Sequence, residues 1–480
     1  MNYKLIILIV YCLILIFICL RILYDTHSST KTIAYLFLCI FLPVFGILFY
    51  LAFGINYWKN KLYSNKTYEN DKMLNELKKK IPEYNKCTVD PKKISDDDTT
   101  EIASMLLKDL RSPLTRNNQV KLLLNGEEKF PELIKCLKAA KHHIHIEYYI
   151  FEGEIGETII EILIEKAKEG VQVKFMYDDF GSPSIKKKTE RKMRSAGIEI
   201  YPFSKVIFYL LANRINYRNH RKIVVIDGRT GFVGGINVSD KYINNNKQKL
   251  YWRDTHVRID GPGVYYLQYI FITDWNFCSS KKLKPEEAFF TPCDDIKGKA
   301  FVQITGSGPD SIEPSVLFSV LEAINLAKEE ILITTPYFIP GDSITNALRI
   351  AALGGVIVKL LVPEKGDSKI VNAASASHYD SLLQAGVEIY LYKKGFIHAK
   401  TLVTDGKLSM VGTANMDHRS FELNFEVNAI IYDEIFSKKL RNVFFEDLKH
   451  TKKLDAKRWY KRSLLTQFPE KVARLLSPSL

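Results

Sequence analysis

The stretch Asn219-His-Arg-Lys-Ile-Val-Val-Ile-Asp227, with Gly234-Gly-Ile-Asn237 after it, occurs in a second version further along the chain. The second version reads Ile397-His-Ala-Lys-Thr-Leu-Val-Thr-Asp405, with Gly412-Thr-Ala-Asn415 after it. Both follow the pattern H-x-K-x4-D-x6-G-x-x-N. Because several fixed spacings rarely recur together by chance, the pair indicates a duplicated unit.

The repeat extends well beyond these motifs. Three further segments occur in both units: Ala140–Phe151 and Ala327–Phe338, Gly170–Phe175 and Gly355–Leu360, and Ala196–Tyr201 and Ala385–Tyr390. Their alternating apolar and polar residues predict strands, and the stretches between them predict helices. This order predicts an α/β protein with two pseudo-symmetric lobes, each a mixed sheet that contains parallel strands and is flanked by helices.

The polar residues of the motif should converge at one place. Side chains two positions apart share one face of a strand, so His220 and Lys222 point the same way, as do His398 and Lys400. The Asp-Gly turn after each strand brings an asparagine back beside that face. These asparagines are Asn237 and Asn415. We expect the two units to meet at a pseudo-two-fold axis that joins both sets in one pocket.

Two imidazoles, two ammonium groups and two amides suit a phosphate group. One imidazole can attack phosphorus and hold it covalently, while the other protonates the leaving oxygen and then deprotonates the incoming hydroxyl. The attacking imidazole needs an acceptor on its other ring nitrogen, for which Glu426 is a candidate in the second unit and Asp254 in the first. Asp227 and Asp405 either contact the substrate or only make the turn. No carboxylate cluster in the sequence suggests a metal site, and the lysines already supply the positive charge that a metal would bring to the phosphate.

Two uncharged apolar runs, Leu5–Leu20 and Ile33–Ile55, stand near the N-terminus. A bilayer-spanning helix needs about 20 apolar residues, which the second run provides and the first approaches. We interpret residues 1–58 as a transmembrane helical hairpin. A signal peptide would need a small-residue cleavage site, which the first run lacks; a pair of buried core helices is the other alternative. The flanking positive charges favour a cytoplasmic main domain.

The remaining composition narrows the choice of partner. A net charge of +14 predicts an anionic partner, either nucleic acid or a lipid surface, and the apolar runs favour lipid. The seven cysteines have no disulfide or metal spacing. Residues 59–112 are polar and rich in lysine, which is typical of a linker or membrane-proximal region with some helix. The apolar run Val206–Leu211 either dips into lipid or packs on the protein.

The paired motifs resemble those of the phospholipase D superfamily, and within it the chain is most similar to the bacterial cardiolipin synthases. The resemblance also rests on Pro43–Gly54, Asn216–Asp227, Thr335–Pro340 and Arg419–Glu426. One departure is Gly235, where many members carry a hydroxyl residue such as Thr413 in the second unit.

The resemblance implies two phospholipase D-like lobes, residues 113–294 and 295–480, that use a phosphohistidine and need no cofactor. It implies an enzyme of the bacterial inner membrane that joins two phosphatidylglycerol molecules into cardiolipin and glycerol, with no nucleic-acid partner. The implied catalytic residues are His220, Lys222, Asp227, His398, Lys400 and Asp405. The implied phosphate-binding or supporting residues are Asn237, Asn415, Thr413, Glu426 and Asp254. His220 is the expected nucleophile, although the pseudo-symmetry allows reversed roles. A hydrolase, another phosphatidyltransferase, a nuclease and an inactive membrane scaffold are the alternatives.

Overall fold

The computed structural model describes residues 3–25, 29–50, 57–93, 97–203, 217–245 and 250–477. The strands of the first lobe are β1 (Thr115–Leu124), β2 (His143–Tyr148), β3 (Gln172–Asp178), β4 (Glu199–Phe203), β5 (Ile223–Ile226), β6 (Thr230–Gly234), β7 (Tyr251–Arg253) and β8 (Thr255–Asp260). Those of the second lobe are β9 (Ala300–Ser307), β10 (Glu330–Thr334), β11 (Phe338–Ile339), β12 (Ile357–Pro363), β13 (Glu388–Tyr392), β14 (Gly395–Ile397), β15 (Thr401–Thr404), β16 (Leu408–Gly412), β17 (Met416–Asp417), β18 (Glu426–Tyr432) and β19 (Thr451–Lys453).

The helices precede the lobes and cover their sheets. Those before the first lobe are α1 (Tyr3–Asp25), α2 (Ser29–Phe41), α3 (Pro43–Phe49), α4 (Tyr57–Lys80), α5 (Pro82–Lys86) and α6 (Asp97–Asp109). The first lobe contains α7 (Asn125–Ala139), α8 (Gly153–Lys168), α9 (Lys187–Ser195) and α10 (Val264–Cys278). The second contains α11 (Ser315–Leu326), α12 (Asp342–Leu353), α13 (Lys369–Ala376), α14 (Tyr379–Gln384), α15 (Glu434–Leu448), α16 (Ala456–Tyr460) and α17 (Leu464–Arg474).

Fifteen of these strands form one sheet, and its order shows the duplication. The order is β19-β13-β12-β10-β15-β16-β18-β9-β1-β8-β6-β5-β2-β3-β4. From the central β9–β1 pair outward, equivalent strands of the two repeats follow one another in the same sequence. Strands β2, β3 and β4 are parallel, as are β10, β12 and β13, whereas β5 and β15 run antiparallel to their neighbours. The predicted α/β fold with two mixed-sheet lobes is confirmed.

The strand after each histidine motif is fully buried. All four residues of β5 and all four of β15 are buried, because helices cover both faces of the sheet at these positions. One of these helices, α10, is mostly apolar and is buried from Val264 to Trp275, as expected of a helix enclosed by other elements. The turn after β5 is made by Asp227 and Gly228, which both have positive φ, as the Asp-Gly prediction required.

The N-terminal segments are helical. Within the described residues, Tyr3–Tyr24 is the one helical stretch long and apolar enough to cross a membrane. The second apolar run forms α2 and α3, which are separated at Leu42 because Pro43 begins the new helix. Side chains of α1, α2 and the end of α3 pack together around Ile22 and Cys39. Residues 51–56, at the end of the predicted hairpin, and the run Val206–Leu211 lie outside the described residues.

The lysine-rich region between the apolar runs and the first lobe packs on both cores. Leu74 and Leu77 of α4 are buried in the first apolar cluster, which includes α10. Ile102 and Leu106 of α6 are buried in the second cluster, against α11. Its polar composition suggested a linker with some helix, but these apolar residues recur at helical spacing and give the region a packed face.

Candidate active site

Each histidine motif is held in place by the other lobe. Asn219 forms a parallel bridge with Phe425, and the amide of His220 donates to the Phe425 carbonyl at 3.0 Å. On the other side, β14 pairs in parallel with β7 of the first lobe, and the amide of His398 donates to the Arg253 carbonyl at 2.7 Å. His220 and Lys222 therefore lie on an extended segment before β5, rather than in β5 itself.

The carboxylates that bind the imidazoles also come from the opposite lobe. Nδ1 of His220 lies 2.9 and 3.0 Å from the two carboxylate oxygens of Glu426. Nδ1 of His398 lies 2.7 Å from Oδ2 of Asp254. Because a carboxylate accepts, each Nδ1 carries the hydrogen and each Nε2 is left for the substrate. The sequence pointed to both carboxylates as candidates within their own units, and the crossed pairing was not predicted.

The side chain of Glu426 is one methylene longer than that of Asp254, and the residues around the two carboxylates differ accordingly. The hydroxyl of Thr413 donates to Glu426 and accepts from the amide of Val427 at 2.9 Å. At the equivalent place in the first lobe, a Cβ added to Gly235 would lie 2.2 Å from Oδ1 of Asp254. The departure of Gly235 from the family pattern therefore has a steric reason, since Asp254 occupies the space of the missing side chain.

The two motif lysines lie beneath the histidines. Nζ of Lys222 donates to the carbonyl of His220 at 2.6 Å, and Nζ of Lys400 donates to that of His398. Both side chains are buried. Burial lowers the pKa of Lys222 to about 7 and that of Lys400 to about 8, although Glu426 and Asp254 act in the opposite direction. A bound phosphate would stabilise the charged form of both.

Burial favours the neutral form of both imidazoles in the free protein. Burial lowers the pKa of His220 to about 4, despite the opposing charge of Glu426. Burial and the ammonium of Lys400, whose Nζ lies 2.9 Å from Nδ1, place the pKa of His398 well below its usual value. A neutral imidazole is the form that can attack phosphorus.

Both histidines line one cavity of about 530 Å³. Asn237 and Asn415 line it as well. The amide group of Asn237 accepts from the Ile150 amide at 3.3 Å and donates to the Tyr242 hydroxyl at 2.9 Å. Oδ1 of Asn415 is buried and has no hydrogen-bond partner among the described residues. The structure therefore brings together the two histidines and two asparagines that the repeat predicted, with their lysines and carboxylates directly behind them.

Asp227 and Asp405 do not line this cavity. The carboxylate of Asp227 accepts from the backbone amides of Lys141, His142 and His143 at 2.8 to 3.0 Å. Asp405 accepts from three equivalent amides ahead of β10, those of Lys328, Glu329 and Glu330. The structure corrects their assignment to the catalytic set. Each aspartate satisfies the amides at the start of a neighbouring strand, which is the turn role that the sequence left open.

Three cations at the cavity were missed by the sequence reasoning. They are Arg218, Lys241 and Arg419. Lys241 and Arg419 each stand four residues after the motif asparagine, so the repeat itself carried that signal. Arg218 stands two residues before His220, on the same face of an extended segment. Among the described residues, no group of three His, Cys, Asp or Glu side chains is placed to hold a metal ion.

Comparison with known proteins agrees with this arrangement. Residues 133–260 and 320–448 match the family model described as cardiolipin synthase, PLD-like domain, and residues 7–54 match the phospholipase D-nuclease N-terminal model. The chain is 40% identical to a cardiolipin synthase of Geobacillus kaustophilus, covering 97% of this chain and 92% of that one. It is also 40% identical to the major cardiolipin synthase of Bacillus subtilis, covering 95% of each.

A solved structure shows the same fold at much lower sequence similarity. The phosphatidylserine synthase of Haemophilus influenzae superposes with a TM-score of 0.54 at 16% identity, covering 75% of this chain and 92% of that one. At this identity the likeness concerns the fold alone. The family model and the two relatives at 40% identity show that the chain belongs to the cardiolipin synthase family of phospholipase D-like proteins.

Proposed function

We propose that the protein is a membrane-bound phosphatidyltransferase that makes cardiolipin and free glycerol from two molecules of phosphatidylglycerol. The observation that carries this proposal is that His220 and His398 line one cavity, each with a carboxylate on Nδ1. Paired imidazoles of this kind suit a two-step displacement at phosphorus. The cardiolipin synthases that match nearly the whole chain support a lipid substrate.

In the first step, Nε2 of His220 attacks the phosphorus of the donor lipid. A phosphorus–nitrogen bond forms as the bond from phosphorus to the headgroup glycerol oxygen breaks. His398, which takes up a proton from solvent at Nε2 when the lipid phosphate binds, delivers that proton to the oxygen, so that glycerol leaves as a neutral alcohol. The negative phosphate raises the pKa of His398 on binding and so opposes the lowering caused by burial and Lys400.

In the second step, a hydroxyl of the acceptor's headgroup glycerol attacks the same phosphorus. The neutral His398 takes the proton of that hydroxyl, the phosphorus–nitrogen bond breaks, and cardiolipin forms. Lys222 and Lys400, with the amides of Asn237 and Asn415, stabilise the charge on the non-bridging oxygens in both steps.

Differences between the two carboxylates favour His220 as the nucleophile. Burial would raise the pKa of Glu426, but His220 and Lys222 outweigh burial and hold it below its usual value. Burial raises the pKa of Asp254 to about 6. Glu426 is thus the more fully ionised acceptor, and an ionised acceptor on Nδ1 makes Nε2 more basic and more nucleophilic.

The proposal is tested by incubating the detergent-solubilised protein with phosphatidylglycerol alone and separating the products. Cardiolipin and glycerol in equal amounts support the transferase. Phosphatidic acid as the main product would show a hydrolase instead, and cleavage of added DNA without lipid products would show a nuclease. His220→Ala serves as the inactive control, with an expected loss of about 1,000-fold or more.

We also propose that the N-terminal segments span the membrane twice and leave the lobes on the cytoplasmic side. Support comes from α1 and α2, which pack on one another while most of their other side chains are exposed and apolar. In a cysteine-depleted chain, Ser29→Cys should react with an impermeant maleimide in intact spheroplasts, whereas Lys72→Cys on α4 should react only after lysis. Protection of Ser29→Cys until lysis would contradict the hairpin.

A further inference from the structure

The pseudo-symmetry of the active site is broken next to His220. Arg218, His220 and Lys222 alternate along one extended segment and so share a face. The equivalent row in the second lobe is Phe396, His398 and Lys400. Phe396 is buried against Trp252, with ring centroids 4.8 Å apart. Arg218 thus places a guanidinium at one end of the cavity, whereas the equivalent position in the second lobe holds a phenyl ring that packs on Trp252.

The guanidinium of Arg218 is buried and incompletely bonded. Only 4% of the residue is exposed, and its Cζ lies 4.6 Å from the centroid of the Phe180 ring. Among the described residues, its Nη2 has no hydrogen-bond partner. The charge of Arg218 lowers the pKa of Asp178, which burial raises overall. The Asp178 carboxylate, however, already accepts from the amides of Phe180, Gly181 and Asn219. A buried guanidinium nitrogen without an acceptor is costly, which indicates that a ligand completes the site.

A second cation lies near the same end of the cavity. The charges of Arg218 and Arg419 both lower the pKa of Tyr149, which burial raises overall. The Tyr149 ring stands edge-on to His220, with centroids 5.1 Å apart. Lys241, the equivalent of Arg419 in the repeat, instead acts on His398 and lies over the ring of Trp252 at 4.8 Å. The His220 end thus carries two guanidinium groups and the His398 end one ammonium.

We infer that Arg218, together with Arg419, binds the phosphodiester of the acceptor phosphatidylglycerol. This inference rests on the proposed function. The donor phosphate must contact both imidazoles, and in the proposed mechanism Lys222 and Lys400 already stabilise its charge. The acceptor brings a second negative phosphate, which a three-carbon glycerol bridge separates from the attacking hydroxyl. A guanidinium presents a planar set of donors that matches two phosphate oxygens at once.

Binding the acceptor through its phosphate would select the lipid over water and free alcohols. Water and glycerol carry no charge, so they gain nothing from Arg218 or Arg419. An acceptor lipid is instead held with its glycerol next to the phosphorus on His220, which raises its effective concentration there. The broken symmetry then distinguishes an acceptor end of the cavity from a donor end.

Two reactions of the same protein distinguish binding of the acceptor phosphate by Arg218 from the reaction of the donor lipid with His220. Cardiolipin synthesis needs both lipid phosphates. Exchange of radiolabelled free glycerol into phosphatidylglycerol passes through the same phosphatidyl-enzyme but uses an acceptor without phosphate. Both rates would be measured for the full-length protein in mixed micelles, for wild type, Arg218→Gln, Arg218→Lys and the surface control Arg229→Gln.

In Arg218→Gln, the ratio of cardiolipin synthesis to glycerol exchange should fall about tenfold to a hundredfold, the size expected for a lost charge-assisted pair. In Arg218→Lys the ratio should fall less, because lysine keeps the positive charge and loses only the planar set of donors. An unchanged ratio in Arg218→Gln, whether both rates fall or neither does, would overturn the acceptor site. If the wild type exchanges glycerol but makes no cardiolipin, the proposed function fails instead, independently of Arg218.

Discussion

Nζ of Lys66, on α4, lies 3.0 Å from the carboxylate of Asp274 in α10. Asp274 also pairs with Arg221, the residue after His220, and Nε of Arg221 donates to the carbonyl of Glu426 at 3.2 Å. A chain of buried polar contacts therefore connects α4 to the residue after His220 and to the backbone of Glu426, whose carboxylate binds that histidine. Helix α4 is therefore part of the support of the active site.

Replacing Lys66 should destabilise the catalytic domain. Lys66 is 5% exposed and also pairs with Asp310, so Lys66→Ala leaves two buried carboxylates without their shared partner. Breaking a buried ion pair of this kind typically costs about 3–5 kcal/mol of unfolding free energy. Thermal unfolding in detergent would measure it, with Lys72→Ala, an exposed lysine on the same helix, as the control. Equal melting temperatures for the two variants would show that the network contributes no stability.

The crossed carboxylates should act on different steps. Glu426→Gln weakens the nucleophile and should slow the reaction about 100-fold or more with any leaving group. Asp254→Asn removes the carboxylate that stabilises protonated His398, so its defect in the first displacement should be large with phosphatidylglycerol and small with a phosphatidyl-p-nitrophenol, which needs no proton to leave. The rate of the first displacement would be compared for the two lipids by rapid-mixing measurement of the first leaving group released, before the second step sets the rate. If the first displacement in Asp254→Asn is equally slow with both lipids, the assignment of His398 as acid is wrong.

The positions of these groups also show what the sequence could predict. Local spacing and the repeat were sufficient for the two lobes, the buried strands after each motif and the meeting of His220 with His398. The partnership of His220 with Glu426 depends on how the lobes dock, which no local pattern encodes. The role of Lys66 could not be predicted, because it lies in a polar, lysine-rich stretch in which few residues mark the packed face of the helix. The place of Arg218 beside His220 could have been predicted from the sequence. The same two-residue spacing that puts His220 and Lys222 on one face also puts Arg218 there.

The pH dependence of kcat/KM should be bell-shaped. Burial lowers the pKa of Lys222 to about 7 and of Lys400 to about 8, so these ammonium groups lose their charge as the pH rises through that range, and phosphate binding weakens. On the acid side, burial lowers the pKa of His220 to about 4, so the nucleophile becomes protonated only as the pH falls through that value. Lys222→Arg should weaken the alkaline decline, because a guanidinium keeps its charge.

This profile would be measured with an activated lipid, so that the first displacement alone sets the rate. The wild type and Lys222→Arg would be compared in the same mixed micelles at constant ionic strength. A rate for wild type that stays constant up to about pH 9 would show that neither lysine loses its proton in the working range.

The phosphatidyl-enzyme should be trapped on His220 when His398 is absent. In His398→Ala, a phosphatidyl-p-nitrophenol can still form the phosphorus–nitrogen bond at Nε2 of His220, since its leaving group needs no acid. The second step lacks its base, so a stoichiometric burst of p-nitrophenol should be followed by slow turnover. Digestion at neutral to alkaline pH and mass spectrometry would place the lipid phosphate on the peptide that contains His220. A burst in His220→Ala, with the modification on His398, would reverse the two roles, and its absence in both variants would exclude a covalent histidine intermediate.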